Sequence, residues 1–89
     1  SRRIYLTHGH LYKVKKDLSS LVQRSKVLGV DVTIFGHTHT PTMFRRDGVL
    51  FVNPGSLHSP RQTHAPSFAI LEITRNTVKA RILSVGEAR

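Results

Sequence analysis

The sequence predicts an α/β domain made of one strand, helix, strand crossover followed by two antiparallel hairpins, and three observations carry that expectation. Two short runs rich in β-branched and apolar residues, 3–7 and 30–35, each lead directly into a histidine pair, His8-Gly9-His10 and Gly36-His37-Thr38-His39. Between them lies a stretch whose apolar residues fall at helical spacing, and beyond them two segments alternate apolar with polar residues about turn-forming dipeptides.

Residues 3–7 read as a strand on the strength of Ile4, Tyr5 and Leu6. Over 14–28, Val14, Leu18, Leu21, Val22 and Leu28 form one stripe of an amphipathic helix, with Asp17 as its expected N-cap and Gly29 as its stop. Residues 30–35 (Val30, Val32, Ile34, Phe35) are nearly continuous in apolar side chains, as expected of a strand buried on both faces. Strand, helix, strand in this order implies a right-handed parallel crossover. Both histidine pairs would then sit at the carboxyl ends of neighbouring parallel strands, the edge where open α/β sheets hold ligands. Asp47-Gly48 between 43–46 and 49–52 is a strong hairpin signal, and 68–73 with 77–83 forms a second hairpin around Arg75-Asn76. The intervening 53–66 holds Pro54, Pro60 and Pro66 and reads as an irregular loop.

At 89 residues the chain is one domain at most, with a marginal core. It has no cysteine, which removes disulfides and thiolate zinc sites and suits a reducing, cytoplasmic setting. No segment reads as a signal peptide or a membrane span. Ser1, Arg2 and Arg3 run at once into a strand, so we read the start as an internal cut in a longer protein. The net charge of +9, from 14 Lys and Arg against 5 Asp and Glu, would attract phosphate-bearing partners. A basic nucleic-acid-binding domain is therefore one reading. The basic residues are scattered, however, with Lys13, Lys15 and Lys16 as the only cluster, and the balance suits equally half a protein whose acids lie elsewhere.

Residues i and i+2 of an extended chain point the same way, so each H-x-H pair can aim two imidazoles at one volume. A divalent cation is the natural occupant of such a cluster, and a polar surface loop is the plainer alternative for each pair. The carboxylates are badly placed for a two-metal centre. Asp17 caps a helix, Asp31 begins a strand, Asp47 lies in a turn, Glu72 alternates on a strand and Glu87 is in the tail. Either three histidines hold a lone cation or the acids come from elsewhere. Asn53-Pro54-Gly55-Ser56 reads as a type II turn, and Asn53 or Ser56 could also donate to a substrate phosphate or orient a histidine. Arg61 could clamp a phosphate or be simply a solvated charge, while His58 and His64 read as loop residues.

Taken together, L-T-H-G-H, I-F-G-H-T-H-T-P, V-N-P-G-S, P-R and P-S-F-A-I-L resemble the carboxyl-terminal half of a calcineurin-like metallophosphoesterase. The likeness is to the small bacterial and archaeal phosphodiesterases related to the retromer scaffold subunit, and it runs over 5–73. It implies half of a four-layer α/β/β/α sandwich, so that 1–89 is a single partial domain. It also implies a divalent-metal-dependent phosphodiesterase with two ions per complete site, Mn²⁺ foremost and Ni²⁺, Fe²⁺ or Zn²⁺ as alternatives. By the same likeness His8 and His37 match ligands of the second metal and His39 a ligand of the first. His10 matches the motif as a substrate or outer contact. The family's amino-terminal motifs D-x-H, G-D and G-N-[HC]-D are absent from these residues, so the fragment alone is expected to be inactive. The parent is expected to hydrolyse phosphodiesters through a metal-bridged hydroxide, with a phosphodiester, nucleotide or nucleic acid as its ligand. A non-catalytic scaffold of the same fold is the alternative. A half-domain folding alone would bare apolar faces, which predicts a homo-oligomer through strand exchange or edge pairing.

Overall fold

The computed structural model describes residues 2–8, 18–36, 38, 40–56 and 66–84. Its elements are β1 (Ile4–Leu6), α1 (Ser19–Leu28), β2 (Val32–Ile34), β3 (Thr42–Arg46), β4 (Val49–Asn53), β5 (Ser67–Ile73) and β6 (Val78–Ser84). A four-stranded sheet runs in the order β1-β2-β4-β3, and β5 and β6 form a separate antiparallel pair. The expected mixed α/β architecture is present, with one addition that matters for the site. β4 is the antiparallel partner of β3 and also pairs parallel to β2, in the register Val32 with Leu50 and Ile34 with Val52. Three parallel strands therefore end at one edge.

The residues of β4 explain its central place. All five are buried, whereas β3 alternates and ends in exposed Arg45 and Arg46, as an edge strand can. Side chains leave the two faces of β4 in turn and build two apolar clusters. On one face Val49 and Phe51 meet Leu21 and Val22 of α1 together with Phe35, with Tyr5, Leu18, Val30 and Phe44 around them. On the other, Leu50 and Val52 join Val32 and Val78, bordered by Ile34, Ala69, Leu71 and Ala80, so the β5–β6 hairpin covers the face opposite the helix. Phe51 is fully buried and stacks on Phe44 with ring centroids 4.8 Å apart. Replacing it with alanine should remove about 3–5 kcal/mol, read as a lower urea midpoint at unchanged slope, out of a total on the order of 5–15 kcal/mol for a domain.

α1 ends as expected, with Gly29 in the left-handed region (φ 68°) and its N–H donating to the Ser25 and Lys26 carbonyls. Its start differs. Leu18, not Asp17, holds the N-cap position, without a side-chain cap; its carbonyl already accepts from the Val22 N–H at 2.9 Å and its side chain packs on the helix-side cluster. Residues 14–17 lie outside the described residues. The polar residues buried between α1 and the sheet satisfy one another. Ser25 Oγ donates to the Leu21 carbonyl at 2.9 Å and lies 2.7 Å from Thr33 Oγ1. β1 has no partner on its outer edge among the described residues. Ile4 and Leu6, which share the hairpin-side face with Val32 and Ile34, are 45% and 74% exposed there. No helix among the described residues is long and apolar enough to cross a membrane.

Candidate metal centre at the carboxyl edge

β1, β2 and β4 deliver His8, Gly36 and the Asn53-Pro54-Gly55 turn to the same edge. Backbone hydrogen bonds carry the alignment past the strands themselves: Thr7 N–H to the Ile34 carbonyl at 3.0 Å, Gly36 N–H to the His8 carbonyl at 3.1 Å, and Phe35 N–H to the Val52 carbonyl at 3.0 Å. The cleft they enclose has a volume of about 370 Å³, and Thr7, His8, Phe35, Gly36, Pro54 and Gly55 line it. His8 is exposed at its mouth.

The loop that carries Gly36 and Thr38 is held by Asn53. That side chain is fully buried, and its Nδ2 donates to Thr38 Oγ1 at 2.8 Å and, longer, to the Gly36 carbonyl at 3.5 Å. Its Oδ1 accepts from the Gly55 N–H at 3.0 Å, which ties the same side chain to its own turn. Threonines continue the network: Thr38 N–H to the Gly36 carbonyl at 2.9 Å, Thr40 Oγ1 to the Thr38 carbonyl at 3.4 Å, and Thr42 Oγ1 to the Thr40 carbonyl at 3.1 Å. The loop thus has defined anchors on both sides of positions 37 and 39, and one of them is an amide from another strand.

Gly55 has φ 86°, the left-handed value that the third position of a type II turn requires. Gly36 differs from Gly55. Its φ lies outside the left-handed region, and a Cβ there would sit 3.7 Å from the His8 carbonyl, an ordinary contact, so the turn after β2 does not depend on glycine's freedom. Ser56 is half-buried, and its carbonyl accepts from the Ser67 N–H at 3.1 Å. His10, His37, His39, His58, Arg61 and His64 lie outside the described residues.

The described acids stand away from this edge. Asp31, at the amino end of β2, accepts from the Arg3 N–H at 2.8 Å and faces Arg2 at 3.9 Å. Asp47 lies in the β3–β4 turn, 3.6 Å from Lys26 Nζ, and Glu72 is exposed on β5. Among the described residues no group of three His, Cys, Asp or Glu gathers. Among the described residues the edge offers one imidazole and a prepared loop, and no carboxylate. Thr38 and Ser67, which hold the edge together, stand inside the motifs quoted above without showing by themselves what they do. A threonine between two histidines and a serine after a proline are each unremarkable until the fold sets Asn53 and Pro54 beside them.

Comparison with known proteins follows this geometry. Residues 1–76 match the family model described as the calcineurin-like phosphoesterase superfamily domain. A probable metallophosphoesterase of Bacillus subtilis, YsnB, is 40% identical over 81 residues, which are 91% of this chain and 48% of that protein. The phosphodiesterase YfcE of Escherichia coli K12 is 35% identical over 71 residues, covering 80% of this chain and 35% of that protein. Among solved structures, a Streptococcus pneumoniae TIGR4 protein described as a predicted phosphoesterase superposes with a TM-score of 0.80 at 28% identity, covering 90% of this chain and 47% of that one. Wild-type Vps29 of Entamoeba histolytica complexed with Zn²⁺ superposes with a TM-score of 0.57 at 29% identity, covering 75% of this chain and 46% of that one. The chain spans about half the length, or less, of the curated relatives it matches.

Proposed function

The chain belongs to the calcineurin-like phosphoesterase superfamily, and from that membership we propose that it is the carboxyl-terminal half of a divalent-metal-dependent phosphodiesterase. The observation that carries the proposal is the convergence of His8, Gly36 and the Pro54-Gly55 turn from three parallel strand ends on one cleft, with Asn53 buried behind it. His8 and His37 would hold one ion and His39 the other, with Mn²⁺ as the working metal. Ions held there would supply the charge that polarises a phosphoryl oxygen and activates water. The chain's own residues prepare that site. Asn53 fixes Thr38 between the two histidines, a positioning role, because its amide is spent on Thr38, Gly36 and Gly55. Ser56, Arg61 and His10 are left to meet the phosphodiester or its leaving group. The carboxylates missing from this edge would come from the remainder of the protein, which also gives the open edge of β1 its neighbour. This half alone would be inactive, and a cytoplasmic setting belongs to the same proposal.

A second reading has specific support in the likeness to Vps29: the same fold used as a protein-binding scaffold without turnover. Hydrolysis of bis(p-nitrophenyl) phosphate by the full-length protein separates the two. With Mn²⁺ the phosphodiesterase should turn over, a chelator should return it to background, and His37→Ala should cost roughly a hundredfold or more, since even outer-sphere partners of a metal site are worth 10–100-fold. A folded, Mn²⁺-loaded protein without hydrolysis would favour the scaffold. Hydrolysis indifferent to chelation would remove the metal from the mechanism.

A further inference from the structure

At the end of the sheet opposite the histidines lies a second cavity of about 240 Å³, lined in part by Arg2, Asp31, Arg45, Asn76, Thr77 and Lys79. It forms where the amino ends of the sheet strands meet the β5–β6 turn, and that turn is well braced. Thr74 N–H donates to the Thr77 carbonyl at 2.8 Å, Thr77 N–H donates to Thr74 Oγ1 at 3.0 Å, and the two hydroxyls lie 2.7 Å apart. The braced turn in turn fixes two guanidinium groups. Arg2 Nη2 donates to the Arg75 carbonyl at 3.1 Å, and Arg45 Nη2 donates to the Val78 carbonyl. A guanidinium has five N–H donors, so each arginine is held in place with most of its donors still available.

The charges around the cavity do not cancel. Asp31 is engaged by the Arg3 N–H at 2.8 Å and stands 3.9 Å from Arg2, offsetting about one cation. Glu72 is the cross-strand neighbour of Lys79, yet among the described residues no carboxylate comes within ion-pairing distance of Arg45 or Lys79. Pre-oriented guanidinium forks beside a lysine are the side chains that recognise a tetrahedral oxyanion, because two parallel N–H donors match two of its oxygens. β4 spans the distance between this cavity and the histidine edge. At about 3.3 Å per residue its five residues set the two roughly 16 Å apart, too far for one phosphate to touch both.

We propose that this cavity is a phosphate-binding site separate from the histidine edge, with Arg45 and Lys79 as its principal contacts and Arg2 held beside them. It takes a phosphate that is free or carried by a nucleotide or polynucleotide. The assignment stands apart from the phosphodiesterase reading and can be tested with the metal removed. Titration calorimetry on the full-length protein, in chelator and at matched ionic strength, should use inorganic phosphate, adenosine monophosphate and a ten-nucleotide single strand as probes. At least one should bind saturably, and which of them binds identifies the source of the phosphate. Arg45→Gln and Lys79→Gln should each weaken binding by about tenfold, the worth of one charge-assisted contact, while His37→Ala leaves it unchanged. Lys79→Gln removes no hydrogen bond that holds the fold, so it tests the site even if Arg45→Gln loosens the hairpin. Saturable binding by none of the probes, binding indifferent to Lys79→Gln, or binding lost with His37→Ala would each overturn the assignment.

Discussion

Gly55→Ala should cost the full-length protein about 2–4 kcal/mol, an unusually large penalty for adding one methyl group at a half-buried turn. Two terms contribute. At φ 86° the backbone is in the left-handed region, where a side chain costs roughly 1–2 kcal/mol. The added Cβ would also lie 2.0 Å from Ser67 Oγ, with Pro41 Cδ at 3.3 Å and Ser67 Cβ at 3.4 Å closing the other sides. Ser67 can escape only by rotating its hydroxyl away, which breaks the 2.8 Å bond it donates to the Pro54 carbonyl, a loss of about 1 kcal/mol. A double-mutant cycle separates the terms. Ser67→Ala should itself cost about 1 kcal/mol, and in its presence Gly55→Ala should cost noticeably less than it does alone, because the colliding oxygen has gone. Strict additivity in urea denaturation would mean that the contact does not shape the turn.

That contact shows why the edge was only partly legible in the sequence. Local chemistry announced the crossover: β-branched runs before each histidine pair, a helical stripe between them and a glycine to end the helix. Asp47-Gly48 announced the β3–β4 hairpin, with both turn residues at positive φ, 53° and 79°. Which strand of that hairpin would enter the parallel sheet was not local information. The choice rests on burial, and Val49, Leu50, Phe51 and Val52 are buried without a break while β3 carries two arginines at its end. An uninterrupted apolar run argued for a buried strand in 30–35 and argues equally for one here. Reading it that way places Asn53 at the carboxyl edge, next to the loop after β2. The helix start was misplaced for the opposite reason. A good capping side chain at position 17 outweighed the packing of Leu18, yet cap chemistry contributes about 1 kcal/mol, comparable to what half-burying a leucine recovers.

The shortage of acids had the same meaning in the sequence and in the fold. Three of the five carboxylates can be placed, and each serves something other than the histidine edge: Asp31 binds the amino end of β1 through Arg3, Asp47 faces Lys26, and Glu72 lies on the outside of the hairpin. The chain spans about half the length of its relatives, and among the described residues no carboxylate joins His8 at the cleft. Ile4 and Leu6 are bare on the open edge of β1.

Asn53→Leu should separate the preparation of the site from contact with substrate. Leucine fills a similar volume but removes the acceptor of the Gly55 N–H at 3.0 Å and the amide that donates to Thr38 Oγ1 at 2.8 Å, and it puts an apolar group where that buried amide had been satisfied. An unsatisfied buried polar group costs about 1–3 kcal/mol, so the variant should lose about 2–4 kcal/mol of stability. Because the freed loop carries His37 and His39, Mn²⁺ affinity measured by titration calorimetry should fall about 10–100-fold, the usual effect of removing a group that orients a metal ligand. Thr38→Val tests the same link from the other side. It deletes the hydroxyl that accepts from Asn53 Nδ2 at 2.8 Å and from the Thr40 N–H at 3.3 Å, leaves the bond to Gly55 in place, and should give a smaller fall in Mn²⁺ affinity with a loss of about 1–3 kcal/mol of stability. If instead Asn53→Leu raised KM for a phosphodiester while Mn²⁺ affinity and the Thr38→Val protein stayed at wild-type values, Asn53 would be a substrate contact. Its full burial in this structure would then have to give way when substrate binds.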